Sequence, residues 1–227
     1  MALNRNWGAI LALKQRLDWL TGEQSVFAQL GSVGRAVLAT LPDPTPNDDD
    51  FARIRAHEGV WEQINELTAA TFVLAQREIT YFVSAAGWIN SRLAAPLQLS
   101  ISKSDLLGRS PNIELLDAAA NYVKHADEWP VDWDEASHRG QMRTIRVLES
   151  AGAVDFDSWD PLPLLRRKLG IDRDLGQVAN HLHAWGTDVV EQVASELEAR
   201  NEIPSGWKSV REFPRLVAYR RYLASGL

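Results

Sequence analysis

Residues 118–129 read Ala-Ala-Ala-Asn-Tyr-Val-Lys-His-Ala-Asp-Glu-Trp. They place an amide (Asn121), an amine (Lys124), an imidazole (His125) and two carboxylates (Asp127, Glu128) in close succession. Asn121 and His125 are four residues apart, so on a helix they are neighbours on one face. Imidazole titrates near neutral pH, so it can remove a proton from a hydroxyl and return one to a leaving oxygen. Such a pair could carry out general acid–base chemistry without a metal. The bland alternative is an exposed histidine beside Asp127 and Glu128.

The helix carrying these groups starts at Pro111-Asn112 and is expected to end near Trp129-Pro130. Leu115, Leu116, Ala119, Tyr122, Val123 and Ala126 mark its core side. Asp117, Lys124 and Glu128 share the outward half with Asn121 and His125. The Trp129-Pro130-Val131-Asp132-Trp133 turn would close a hydrophobic corner at its end, or form one wall of a pocket by His125.

Asn121-x-x-x-His125 resembles part of the signature of the HEPN superfamily: Arg, a polar residue that is often Asn, three residues, then His, on a late helix of an all-α bundle. Many HEPN proteins are metal-independent ribonucleases of toxin–antitoxin and phage-defence systems and pair as dimers with their motifs facing. The resemblance implies His125 as the acid/base group and Asn121 as the residue that orients it or the RNA. It also implies a homo-oligomer, with RNA or an antitoxin-type protein as partner. This chain departs from the signature at Ala120, where the Arg should stand. Lys124 is the nearest cation in sequence, about 60° round the helix from Asn121. Three readings follow: a non-catalytic, self-associating HEPN-like bundle first, an RNA-cleaving endonuclease acting through Asn121, Lys124 and His125 second, and a carboxylate/His metal bundle third.

Metal and cofactor motifs are sparse. Glu135-x-x-His138 has the spacing of di-iron bundles, but such centres need the motif twice plus two more carboxylates. Glu58, Glu62 and Glu66, four apart, fit a solvated face. His181 and His183, two apart, point to different sides of a helix. No nucleotide-binding loop, nucleophile elbow or cysteine is present. The expectation is no cofactor and no metal.

The chain of 227 residues carries 24 Lys and Arg against 30 Asp and Glu, a net charge of −6. That argues against a broad phosphate-binding surface. Residues 201–227 hold five basic against two acidic residues and are expected to be a solvated terminal helix. The N-terminal residues show no signal-peptide pattern, and the longest uncharged stretch, 79–91, is too short to span a bilayer. A cytoplasmic location is expected. Nine Trp residues spread along the chain suit helix seams and subunit interfaces.

Apolar spacing predicts an all-α fold of seven or eight antiparallel helices, with a long central helix or helical hairpin. We treat residues 1–227 as one helical domain. Within it lie an N-terminal pair over 1–41, a central bundle with the Asn-x-x-x-His helix over 48–152, and C-terminal helices over 153–227. Residues 4–20 form the first helix. Thr21 and Gln24 suggest a capping box for the second, which runs to Thr40 with Gly31 and Gly34 inside it. Pro42, Pro44 and Pro46 break the chain. A helical pattern from about 48 to 93 follows, either a long hairpin arm or a helix broken near Gly59 or Thr68, with Val60, Ile64, Leu67, Thr71, Leu74 and Ile79 facing the core. Residues 97–102 alternate apolar and polar, as a short strand would. Further helices are expected over 134–151, 161–169, 174–200 and 211–224.

Overall fold

A computed structural model describes residues 5–41, 50–125, 128, 139–152 and 161–209. The expected helix over 211–224, the Trp129–Trp133 turn, Glu135 and His138 lie outside these residues. Among the described residues there are eight α-helices and no strand. None of the helices is long and apolar enough to cross a membrane.

Helix α1 (Arg5–Leu20) buries Trp7, Ile10, Leu13, Leu17 and Leu20, the stripe that the spacing predicts. Helix α2 (Val26–Leu38) starts later than its expected cap. Ser25, not Thr21, is the N-cap, and its hydroxyl accepts from Ala28 N at 3.1 Å. The later start turns Phe27, Gly31 and Gly34 to the same inward face. Both glycines are places of close approach. A Cβ at Gly31 would lie 2.8 Å from the backbone N of Gly176, and one at Gly34 would touch Leu175. There α2 rests on the 3-10 turn Leu175–Gln177, and Arg35 clamps the contact with an ion pair to Asp174 at 2.6 Å.

Helix α3 (Asp50–Asn90) runs for 41 residues with no break at Gly59 or Thr68, about 60 Å at 1.5 Å per residue. Its inward stripe includes Ile64, Thr68, Thr71, Phe72, Ala75, Ile79, Phe82, Ala86 and Ile89. Val60, Ile64, Thr71 and Ile79 are buried as the spacing predicts, while Leu67 and Leu74 are only partly covered. Thr68 does not interrupt the helix because its hydroxyl donates back to Ile64 O at 2.6 Å, and Thr71 does the same to Leu67 O at 2.7 Å. A buried hydroxyl satisfied in this way is compatible with continuous helix. The stripe packs against α1, α2 and three later helices, α5, α7 and α8. Arg16 of α1 also pairs with the buried Glu78 of α3.

Residues 97–102 are not a strand. Their neighbourhood offers side chains, not a second strand, as hydrogen-bond partners. Leu97 N donates to Asn90 Oδ1 at 2.7 Å and Gln98 N to Glu196 Oε1 at 2.6 Å. The Arg200 guanidinium donates to Ala95 O and Pro96 O at 2.8 and 2.9 Å. A lone extended segment has no ladder to join, so its backbone groups are met individually. Helix α4 (Lys103–Leu107) follows, capped by Ser102. Hydrogen bonds from Ser100 and Ser102 hold the Asp105 carboxyl below the usual carboxylate range.

Helix α5 (Pro111–Lys124) opens on proline and buries Ile113, Leu115, Leu116 and the run Asp117–Ala120. It stops at Lys124, short of the expected end near Trp129. His125 leaves helical geometry with φ −119° and ψ 25°. Lys124 and His125 are both exposed, so a further turn would have added little burial to hold it. Helix α6 (Arg139–Ser150) packs on α5 through Thr144, Ile145 and Leu148. Gly152 follows with φ 61°, the left-handed residue that ends helices. Helix α7 (Leu162–Lys168) ends at Gly170, φ 66°. Helix α8 (Val178–Ala199) buries Leu182, Trp185, Val189, Val193 and Leu197. The Trp185 indole donates to Leu106 O at 2.9 Å.

The tryptophans divide. Trp7, Trp185 and Trp207 are core residues, as expected. Trp19, Trp61 and Trp88 are exposed, each within reach of a guanidinium: Arg16 at 4.2 Å, Arg166 at 5.5 Å and Arg92 at 4.1 Å.

Two substitutions test this packing by chemical denaturation. Leu116→Ala should destabilise by about 2–4 kcal/mol, because it empties a fully enclosed position. Gly31→Ala should cost about 1–3 kcal/mol, because the new methyl would meet the backbone of Gly176 as well as the Asp174 carboxylate. A neutral Gly31→Ala would show that α2 does not rest on the Leu175–Gln177 turn.

Candidate functional site

The three sequence candidates separate in the structure. Asn121, on the last turn of α5, is half-buried against α3. Its Oδ1 accepts from Gln76 Nε2 at 2.8 Å. The same Nε2 lies 2.9 Å from Asp117 Oδ1 and 3.2 Å from Asp117 O. Asp117 is therefore not on the outward half where its spacing from Asn121 and Lys124 puts it. It is buried, held by Gln76 from α3 and by Lys103 at 2.8 Å. A carboxylate can be enclosed when a cation and an amide both reach it.

His125 stands one residue past the helix, about half exposed. Its Nδ1 is 3.1 Å from Glu128 Oε2, which is itself 69% exposed. Lys124 is exposed. Asn121 and His125 do not hydrogen-bond to each other, and each has a partner of its own. The end of α5 is the physical reason: the four-residue spacing aligns side chains only while the helix continues through both.

Asn121 instead joins a different group. Where α5 meets α6, a cavity of about 140 Å³ is lined by Asn121, Asp117, Lys103, Arg143 and Thr144, among others. It shares Arg143, Glu114 and Val147 with a wider concavity of about 940 Å³ along α6, which also takes in Arg139 and Arg146. The three arginines are spaced i, i+4 and i+7, so they form one ridge. All are exposed. Among the described residues none has an acidic partner within ion-pair distance. The ridge is legible in the sequence as Arg-x-x-x-Arg-x-x-Arg, but its meaning is not, because only the fold brings Arg143 and Asn121, 22 positions apart in the chain, to one cavity.

No group of three His, Asp or Glu side chains able to hold a metal occurs among the described residues. Glu58, Glu62 and Glu66 lie exposed along α3. His181 has a structural role: Asn112 Nδ2 is 3.1 Å from its Nδ1, and Leu169 O is 2.9 Å from its Nε2. Of the basic C-terminal stretch, Lys208 is described and pairs with Glu191 at 3.0 Å.

Comparison with protein-family models, curated proteins and solved structures finds no match to this chain.

The partner of Asn121 and the histidine at the end of α5 should differ in what they contribute to stability. Gln76→Ala strips the amide from Asp117 and Asn121 and should cost about 1–3 kcal/mol in urea melts. His125→Ala should cost less than about 0.5 kcal/mol, as for other exposed positions. Equal losses would show His125 to be structural.

Proposed function

We propose that this chain is a non-catalytic helical binding protein that takes a phosphate-bearing strand, RNA in the first instance, along the groove between α5 and α6. One observation carries the reading: Arg139, Arg143 and Arg146 form an exposed ridge that has no acidic partner among the described residues, and the middle arginine shares a cavity with Asn121 and Lys103. Unpaired guanidinium groups in a row are suited to bidentate contacts with phosphate oxygens. With its Oδ1 engaged by Gln76, the Asn121 amide offers its N–H groups to a sugar or base edge. The negative net charge confines the electrostatic attraction to this strip and favours local over broad phosphate binding. The binding is non-catalytic in this reading because His125 lies outside the lining of the cavity and is occupied by Glu128.

The second reading is the metal-independent ribonuclease implied by the HEPN resemblance. It is favoured by Arg143, a cation in the cavity of Asn121 that stands in for the Arg missing at Ala120. His125 would take the 2′-hydroxyl proton and Lys124 would steady the phosphate. Two copies would face each other, with an antitoxin-type protein as inhibitor. Both readings belong to a cytoplasmic protein.

One experiment separates them. A fluorescein-labelled single-stranded RNA is titrated with protein in EDTA at several salt concentrations, followed by anisotropy and by gel. Binding with intact RNA is expected. Changing Arg139, Arg143 and Arg146 together to Gln should weaken it, and should reduce the slope of log K against log salt by about 2, three phosphate contacts on a single strand. Unchanged affinity and slope in that variant would overturn the proposal. RNA shortening that His125→Ala abolishes would establish the second reading.

A further inference from the structure

We propose that a cleft between α1 and α8, away from the α5–α6 groove, binds a small zwitterion of amino-acid size. The cleft has a volume of about 220 Å³, below the usual range for drug-sized ligands and suited to a molecule of roughly ten heavy atoms. Its floor is apolar, built from Leu17, Val190 and the Trp207 ring, all buried.

The polar groups around that floor come in two helical pairs. Lys14 and Asp18 are four apart on α1, and His183 and Thr187 are four apart on α8. Each pair therefore projects to one side, and the two helices bring the pairs to opposite walls of one cleft. Lys14 Nζ donates to Lys208 O at 2.7 Å, which fixes the Trp207 turn as the end of the cleft. Lys208 and Glu191 complete the lining as an ion pair at 3.0 Å.

Three of these side chains, Asp18, His183 and Thr187, have no polar partner among the described residues. In addition, the indole Nε1 of Trp207 is a buried donor that meets no acceptor, in a residue only 2% exposed. Buried donors are nearly always satisfied, so an orphan of this kind needs an explanation. The two lysine ammonium groups sit 5.6 and 5.7 Å from the ring centroid. A ligand carboxylate entering beside them would meet positive charge and, from the α8 wall, the Thr187 hydroxyl, and the Trp207 indole adds an unsatisfied donor to the lining. Asp18, on the α1 wall with Lys14, supplies the complement for an ammonium group. Cationic and anionic groups around one apolar floor match a free amino acid better than a plain amine or a plain acid.

The test uses the full chain and isothermal titration calorimetry with the free L-amino acids, and with n-butylamine and butyrate as single-pole controls. At least one amino acid should bind with a Kd at or below the millimolar range, and both controls should bind more weakly. Asp18→Asn, a change at an exposed rim position, should weaken binding by about tenfold or more, the loss of a charged hydrogen bond. Thr187→Phe, which fills the cleft from its half-buried rim, should abolish it. Absence of heat with every amino acid, equal binding of a single-pole control, or binding indifferent to both variants would each overturn the proposal. Neither variant touches the α5–α6 groove, so RNA anisotropy measured on the same proteins reports the other site separately.

Discussion

Gln76 joins α3 to α5 at a point where no apolar side chain could serve. The run Ala118–Ala120 is small and buried, so α5 can lie close to its neighbours α3 and α6. Asp117 is buried there and Asn121 half-buried. Gln76 supplies the missing donor to both, and Lys103 neutralises the carboxylate. The three groups are mutually dependent: remove the amide and a buried carboxylate loses a partner, remove the carboxylate and the amide loses an acceptor. The pose of α5, and with it everything presented at its end, rests on this contact.

Two consequences reach the surface. First, Asn121 is held in a fixed orientation, with its oxygen turned to α3. Second, α6 packs on α5 through Thr144, Ile145 and Leu148. Arg139, Arg143 and Arg146 stay exposed beside that seam, with Arg143 and Thr144 lining one cavity with Asn121. Charges on such a ridge repel one another modestly in water, and a bound polyanion relieves that repulsion.

Where burial decides, the sequence is a good guide. The stripe of α1, the inward residues Val60, Ile64, Thr71 and Ile79, the close approach at Gly31 and the cap at Gly152 all follow from period and residue type. Three features escape that logic. Ser25 displaces Thr21 as cap because the register of Phe27, Gly31 and Gly34 outweighs a local capping box. Residues 97–102 alternate like a strand, yet a strand exists only by pairing; among the described residues no strand is present, and Leu97 N and Gln98 N are met by the side chains of Asn90 and Glu196. Asp117 reads as outward because charge is usually exposed, and no local pattern announces that Gln76 and Lys103 will enclose it. For Gln98 and Asp117 a deciding partner, Glu196 or Gln76, is distant in sequence.

The same distinction governs the two candidate chemistries at the end of α5. A histidine becomes a general base through what surrounds it: a substrate proton in reach, a partner that fixes the ring, and a cation for the charge that develops. Among the described residues the partner of His125 is an exposed carboxylate, Glu128, at 3.1 Å, and α5 ends one residue earlier. The elements of a phosphate site, by contrast, need only be present in a row and unneutralised, since guanidinium groups keep their charge whatever their environment. A ridge of arginines is therefore functional at lower structural cost than a catalytic histidine. That difference in what must be organised, more than the spacing of Asn121 and His125, is why the α6 side of the groove carries the functional reading.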